Sequence, residues 1–224
     1  MFVNEILFFI HILLVIGLVL GAKRLGKNGL ISLIVLQAVF ANLFVVKQMS
    51  LFGFSVTCSD VFAIGGILGL NLLQEDHGRA EANTAVKASF LGLLFFMIMS
   101  KIHLWYVPLA ADTTHEAFVN ILSSTTRISC ASIAVYYIVQ KIDLRLFAFL
   151  QTLFGKRYLP LRIGISLVLT QFLDTVLFSF FGLYGLVVSL FDVIAVSFFV
   201  KCIIISCSSF LVAFAKKMEK HVPI

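Results

Sequence analysis

An acidic residue lies in the middle of a long apolar run of this chain. Asp174 stands near the centre of residues 163–188, with Gln171 one helical turn before it and Thr175 beside it. On insertion scales, an aspartate at the centre of a membrane helix costs about 2.5–3.5 kcal/mol. A segment that only anchors a chain in lipid gains nothing from such a residue. We therefore expect a binding site inside a helix bundle, with a partner group or a ligand opposite Asp174.

Two basic residues lie at a similar depth in other apolar runs. Arg127 is about ten residues into one run, and Lys201 is at the centre of another. Charges on three spans are tolerated when they face one another, so Asp174 is expected to pair with Lys201 or with Arg127. Sites near the bilayer midplane and between helices are typical of transporters. A buried ion pair with a purely structural role is the alternative.

Further polar residues recur at helical spacing. Thr170 and Ser166 precede Asp174 at intervals of four residues, which places them on one helix face. Two other runs carry similar faces: Ser132, Tyr136, Gln140 and Asp143 in one, and Asp60, Asn71 and Glu75 in the other. We interpret the three faces as lining one cavity. The candidates for ion coupling or gating are Asp60, Asn71, Glu75 and Asp143.

Each of these residues also has a simpler interpretation. Serine and threonine within spans often bond only to their own backbone. Asp60 lies near the predicted outer interface and would then be a solvated end residue. Gln140 and Asp143 lie near the predicted inner interface, where they would cap the helix or pair with Lys141 or Arg145.

The composition requires a membrane protein. The chain has 224 residues and is 61% hydrophobic, whereas soluble domains are about 45–50% apolar. The apolar runs do not alternate as barrel strands do, so an all-α polytopic bundle of six to seven transmembrane helices is predicted, as one domain over residues 1–224. The candidate spans are 4–22, 28–47, 54–74, 86–108, 117–140, 162–184 and 187–215. Gly65 and Gly69 form a GxxxG spacing, which permits close helix packing.

The basic residues predict the orientation. Of the 17 lysines and arginines, 13 fall on one side of a seven-span arrangement. The positive-inside rule therefore places the N-terminus outside and the C-terminus in the cytoplasm. The net charge of +6 is explained as a topology signal, and no nucleic-acid partner is expected. Residues 141–162 mix apolar and basic side chains, which predicts a short amphipathic helix on the inner leaflet.

Catalytic and metal-binding patterns are lacking in the sequence. The five histidines are scattered, and the sequence has no HExxH, GxSxG or Walker A motif. The four cysteines include no CxxC pair. We therefore predict neither an enzyme nor a cofactor or metal site. An intramembrane enzyme, which would turn its ligand over, is kept as a minor alternative.

Three stretches and one lysine together resemble a known family. They are residues 71–78, residues 127–143, residues 166–178 with Asp174 next to Thr175, and Lys201. With these, the chain resembles the queuosine precursor transporters, also called the vitamin uptake transporter family, from about the second span to the seventh. It departs from the family pattern in two ways. Residues 1–27 form an added helix before a core bundle of residues 28–215, and Asn71 stands where many members carry aspartate.

The resemblance implies a multi-pass bacterial inner-membrane importer of 7-deazaguanine bases for the queuosine modification of tRNA. These bases include 7-cyano-7-deazaguanine, its 7-aminomethyl analogue and queuine. Members resemble the substrate-binding subunits of energy-coupling-factor importers, so a binding subunit that needs an energising partner is the main alternative. The small-residue patch around Gly65 and Gly69 would suit such a partner. Neither a partner subunit nor a homo-oligomer is required by the inward polar faces.

The implied ligand suggests a role for each candidate residue. A 7-deazaguanine base presents two adjacent donors, which the Asp174 carboxylate would accept together, and Gln171 would supply one donor and one acceptor. Arg127 or Lys201 would bond the base O6 or neutralise Asp174 in the empty site. The rest of the expected binding set is polar or aromatic: Ser132, Tyr136, Gln140 and Phe178.

Overall fold

The computed structural model describes residues 3–45, 47–57, 59–123, 126–155, 158–185 and 190–219. Within these ranges the side chains of residues 55, 126, 127, 129, 192, 208, 209, 211 and 213–219 lie outside the description. The described residues form eight α-helices, a two-stranded hairpin and one π-helical segment. The prediction of an all-α architecture is therefore confirmed.

The elements follow one another with short connections. The first four helices and the hairpin are α1 (Val3–Arg24), α2 (Lys27–Phe44), β1 (Gln48–Leu51), β2 (Phe54–Thr57), α3 (Asp60–His77) and α4 (Arg79–Trp105). The second half comprises α5 (His115–Leu122), α6 (Thr126–Phe154), α7 (Leu159–Phe178), the π-helical segment (Ser179–Leu183) and α8 (Leu190–Glu219). Gly78 separates α3 from α4 with a φ of 87°, which ends one helix and lets the chain reverse.

Helix α3 is the centre of the bundle. It contacts α1, α2, α4, α6, α7 and α8, and 13 of its side chains or glycines are buried. A helix that is buried on all sides carries either apolar side chains or polar side chains that have hydrogen-bonding partners. The polar residues of α3, which include Asp60, Asn71 and Gln74, therefore mark places where other helices bring polar groups to it.

Glycines allow α1 and α2 to approach α3 closely. A Cβ atom on Gly65 would lie 2.5 Å from both Gln37 Oε1 of α2 and Val15 Cγ1 of α1. A Cβ atom on Gly69 would lie 3.0 Å from Ile34 Cγ1. The GxxxG spacing thus serves packing within the chain.

A β-hairpin connects α2 to α3, and its second strand occupies the residues that the sequence assigned to the start of the third span. Its two turn residues, Phe52 and Gly53, both have positive φ, as a tight two-residue hairpin turn requires. The start of α1 holds this hairpin: Asn4 donates to the Ser50 carbonyl at 2.9 Å, and Glu5 accepts from the Phe52 backbone N–H at 3.1 Å. The prediction that the third span begins at residue 54 is corrected accordingly.

The outer surfaces of the helices are apolar, as expected for contact with lipid. Among the described residues, four helical segments are long and apolar enough to cross a membrane: Val3–Arg24, Lys27–Phe44, Arg79–Trp105 and Leu159–Leu183. A shorter apolar stretch, Val193–Cys207, lies within α8. The predicted number of six to seven spans and the predicted orientation of the termini remain predictions.

The predicted surface helix at residues 141–162 is wrong. Helix α6 runs without interruption from Thr126 to Phe154, so residues 141–154 continue this helix. Leu144, Phe147 and Leu150 are buried, with exposures of 4% or less, because this part of α6 packs into the bundle. The predicted span at 117–140 also divides, with α5 ending at Leu122 before α6 begins.

Candidate functional site

A polar cavity lies at the hairpin end of the bundle. Its volume is about 210 Å³, whereas a water molecule occupies about 30 Å³ in the liquid, so the space suits a small organic molecule. The walls come from the end of α2, the strand β2, the start of α3, the first half of α6, the end of α7 with the π-helical segment, and the first half of α8. The polar and aromatic lining residues include Asn42, Asp60, Ser132, Tyr136, Asp174, Phe178 and Lys201.

Lys201 lies between two carboxylates in this cavity. Its ammonium donates to Asp174 Oδ2 at 2.8 Å and lies 3.8 Å from Asp60 Oδ1. The Lys201 side chain is 5% exposed, while the Asp174 side chain keeps 25% of its surface exposed toward the cavity. Of the two pairings that the sequence allowed, the structure forms Asp174–Lys201. Asp60 is buried beside this pair, so its interpretation as a solvated end residue is wrong.

An irregular turn of helix shapes the wall next to Asp174. Helix α7 ends at Phe178 and continues as the π-helical segment Ser179–Leu183. Single π-helical turns are frequent at functional sites because they re-aim side chains relative to an α-helix. Phe178, Ser179 and Leu183 all line the cavity.

A hydrogen bond between α2 and α6 forms another wall. The Ser132 hydroxyl donates to Asn42 Oδ1 at 2.6 Å, and the Asn42 amide donates to the Ala38 carbonyl at 3.1 Å. Tyr136 lies one turn further along α6, and its hydroxyl is buried. The structure thus brings Ser132, Tyr136, Phe178, Asp174 and Lys201 together around one space, as the sequence analysis expected of binding residues.

A smaller cavity of about 30 Å³ continues the first toward the bundle centre. Tyr136 and Asp174 line both cavities, and Gln140 and Gln171 line only the smaller one. The two glutamines are buried, and within the described part of the chain the Oε1 atom of each has no hydrogen-bond partner. Their amide groups are therefore available to a ligand that reaches past Asp174.

The remaining candidates lie in a separate group, which we call the distal polar cluster because it is further from the hairpin. Its members come from α3, α6 and α7: Asn71, Gln74, Glu75, Gln140, Asp143, Arg162 and Ser166. The Ser166 hydroxyl donates to Asp143 Oδ1 at 2.5 Å, and the Gln74 amide donates to the Leu144 carbonyl at 3.1 Å. Asp143 is fully buried and pairs with neither Lys141 nor Arg145, which corrects that interpretation.

An ion pair closes this end of the bundle. Arg162 donates from both terminal nitrogens to the two Glu75 oxygens at 2.9 and 2.8 Å. The arginine side chain is fully buried and lies over the Phe147 ring, with its Cζ atom 5.2 Å from the centroid. The expectation that the three polar faces line one cavity along their whole length is corrected. Asp60, Gln140 and Asp174 line the two connected cavities, whereas Asn71, Glu75, Asp143 and Ser166 line neither of them.

Arg162, Asn42 and the hairpin residues of the cavity wall are not among the site residues expected from the sequence. The sequence places Arg162 at the end of the basic segment 141–162, interpreted as a surface connection. A usable signal was present, because Arg162 precedes Ser166, Thr170 and Asp174 at the same four-residue interval. The side chain of Arg127, the other expected partner of Asp174, lies outside the described residues.

Similarity to known proteins bears on what the cavity does. Residues 61–215 match the model of a family described as "putative vitamin uptake transporter". The chain is also 31% identical over 188 residues to the "probable queuosine precursor transporter" of Bacillus subtilis, and the match covers 82% of each chain. The chain belongs to the vitamin uptake transporter family. The resemblance seen in the sequence is thereby confirmed, whereas no solved structure matches this chain.

Membership of the vitamin uptake transporters agrees with the architecture. Several long apolar helices together with a transporter family identify a multi-pass membrane protein. The family and the bacillus relative are transporters and not enzymes, which fits the lack of catalytic motifs in the sequence. The family match begins at the start of α3 and includes every helix from α3 to most of α8. The central helix, the cavity carboxylates and Lys201 all lie within it or at its edge.

Proposed function

We propose that this protein is a bacterial inner-membrane importer of queuosine precursors, which are 7-deazaguanine bases used for tRNA modification. The name of the bacillus relative supports the substrate class. The arrangement of Asp174, Lys201 and Asp60 in the cavity is the observation that carries the proposal.

The cavity chemistry suits the polar edge of such a base. Asp174 accepts one hydrogen bond from Lys201 through Oδ2 and remains partly exposed toward the cavity. On binding, the carboxylate would accept the two adjacent donors of the base, and the released Lys201 ammonium would donate to O6 or move toward Asp60. Lys201 thus neutralises Asp174 in the empty site and is replaced there by the ligand. Phe178 and Tyr136 supply aromatic faces for the ring.

The charges of the cavity favour an aminated base. Among its described lining residues, two carboxylates face one ammonium. A protonated amine on the ligand would offset the second carboxylate, whereas a nitrile would not. We therefore expect the 7-aminomethyl base or queuine to bind more tightly than 7-cyano-7-deazaguanine.

The arrangement resembles one state of an alternating-access cycle. The cavity lies at the hairpin end, which the positive-inside rule places outside. At the other end, the Arg162–Glu75 pair and the Asp143–Ser166 hydrogen bond hold α3, α6 and α7 together. Release of the base to the cytoplasm would require these contacts to open. We propose that Glu75 and Arg162 act as the inner gate.

A binding subunit that needs an energising partner is the competing function. The patch that suggested a partner surface, Gly65 and Gly69, is covered within the chain by Val15, Gln37 and Ile34. It therefore offers no support for a second subunit. Uptake by the purified chain alone in liposomes would separate the two functions.

Complementation tests the proposed function. The chain would be expressed in bacteria that lack both queuosine precursor synthesis and their own importer, and each base would be supplied at low concentration. For queuine, the host must also carry a transglycosylase that accepts it. The expected result is queuosine in tRNA with the wild-type chain and its loss with Asp174→Asn at equal membrane abundance. No rescue by any base, with the protein present in the membrane, would overturn the proposal.

A further inference from the structure

Four buried amide and carboxylate side chains lie on two adjacent turns of α3 and α6, which together form one level of the distal polar cluster. Gln74 bonds to the Leu144 carbonyl and Ser166 bonds to Asp143, so α3 and α7 both contact α6 at residues 143–144. Asn71 lies three residues before Gln74, and Gln140 lies three residues before Asp143. Residues three apart on a helix share a face, so Asn71 lies on the same face of α3 as Gln74, and Gln140 on the same face of α6 as Asp143, each one turn nearer the cavity.

This level has more oxygen acceptors than donors. Four of its oxygens have no hydrogen-bond partner among the residues that the structure describes: Asn71 Oδ1, Gln74 Oε1, Gln140 Oε1 and Asp143 Oδ2. All four side chains are 4% exposed or less. Among the described residues, the unpartnered buried donors near this level include Asn71 Nδ2, Arg162 Nε one turn before Ser166, and the Tyr136 hydroxyl one turn before Gln140. A buried oxygen without a partner costs about 1–3 kcal/mol, so a set of four needs an explanation.

The same level also carries an uncompensated carboxylate. Arg162 gives both terminal nitrogens to Glu75, and Lys141 donates to Asn83 and lies over the Tyr137 ring. Arg145 is exposed and lines a surface pocket with Arg79. Asp143 therefore has no cationic side chain in contact with it among the described residues. An unpaired carboxylate in such a place is strongly unfavourable.

We propose that Asp143 and the amide oxygens of Asn71, Gln74 and Gln140 bind one monovalent cation, with Na⁺ as the best chemical match. Oxygen-only ligands select hard cations, and a single carboxylate balances a single positive charge. The described residues contain no group of three His, Cys, Asp or Glu that would suit a divalent or transition metal.

The site is placed to couple ion binding to the substrate cavity. Gln140 belongs to this level and also lines the small cavity next to Asp174. A cation that draws the Gln140 oxygen toward Asp143 would therefore fix one wall of the substrate site. This coupling role rests on the proposed transport function, whereas the ion site itself does not.

Binding of ²²Na⁺ to the purified full-length protein, without any base, tests the site. The wild type is expected to bind about one Na⁺ per chain saturably, and Asp143→Asn is expected to bind at least tenfold more weakly while remaining monodisperse. Asp112→Asn, a change at an exposed carboxylate on the α4–α5 connection, serves as the matched control and should bind like the wild type. Asn71→Asp adds a second carboxylate and should shift the preference toward Ca²⁺, which keeps the test decisive if Asp143→Asn does not fold.

The outcomes separate this proposal from the transport function. Unchanged Na⁺ binding in Asp143→Asn, or no saturable binding by folded wild-type protein, would overturn the ion site. Base uptake that depends on pH and not on Na⁺ would overturn the coupling role of this site and would indicate a proton as the coupling ion. Saturable Na⁺ binding without uptake of any base would support the ion site and reject the proposed substrate.

Discussion

At the scale of single residues, one buried lysine organises the cavity. Lys201 contacts two carboxylates from different helices, so removing one of them leaves the other as a partner. Breaking a buried pair usually destabilises a protein because it leaves a charge without compensation. Here Asp60 provides that compensation, and changes at Asp174 should therefore report on the ligand more than on the fold.

Asp174→Asn is expected to weaken binding of the base with little loss of stability. The amide replaces an acceptor by a donor that opposes the donors of the base, and a hydrogen bond to a charged group contributes about 1.5–3 kcal/mol. We expect the Kd to rise at least tenfold in equilibrium binding on purified protein, with Asp112→Asn as the control. If most of the Asp174→Asn protein unfolds and the fraction that stays folded binds the base normally, the Asp174–Lys201 pair has a structural role instead.

The Glu75–Arg162 pair should behave differently because neither residue has a second charged partner among the residues described. Arg162 is fully buried and Glu75 is 11% exposed, so Glu75→Gln is expected to lower the free energy of unfolding by about 3–5 kcal/mol. Thermal unfolding in detergent measures this change. The exposed Lys27–Glu81 pair provides the control, since Glu81→Gln should change stability by no more than about 1 kcal/mol. Equal effects of the two substitutions would contradict the structural importance of the buried pair.

At the scale of elements, glycines set the distance between α3 and its neighbours. Gly65→Ala would place a methyl group 2.5 Å from Val15 and Gln37, so we expect a loss of about 1–3 kcal/mol. Gly17→Ala is the matched control, because no atom lies within 4 Å of its added Cβ, and it should be neutral or stabilising by up to about 1 kcal/mol. Thermal unfolding of both variants compares them directly. Similar melting temperatures would show that α1 and α2 do not pack on α3 as described.

Helix α1 also bears on the domain organisation. Phe8, Ile12 and Val15 belong to the main apolar core, together with residues of α3 and α8. The start of α1 also holds the hairpin that forms part of the cavity wall. We propose that α1 is an addition to the family bundle and that it has become part of the packing that positions the site.

At the scale of the whole molecule, orientation decides which way the cavity faces. In a variant without the four native cysteines, Val107→Cys should react with a membrane-impermeant maleimide in intact cells. Leu25→Cys, at the opposite end of the bundle, should react only after permeabilisation. Both positions are highly exposed, at 93% and 79%. The reverse labelling pattern would place the cavity on the cytoplasmic side and contradict import by the proposed cycle.

The sequence by itself determined the class of the molecule and the position of its central acid. These features are properties of single helices: the long apolar runs, the depth of Asp174 within its run, and the four-residue spacing of the polar face of α7. The composition and the periodicity of the sequence therefore show them directly. The family resemblance also depends only on the order of residues.

Only the tertiary structure decided which polar groups meet. Asp174 pairs with Lys201, Asp60 joins them, and Asp143 lies apart from the cavity beside Ser166. These contacts depend on how far each helix is shifted and rotated against its neighbours. That register comes from close packing at positions such as Gly65, and from connections such as the hairpin, which the pattern of any one segment does not contain.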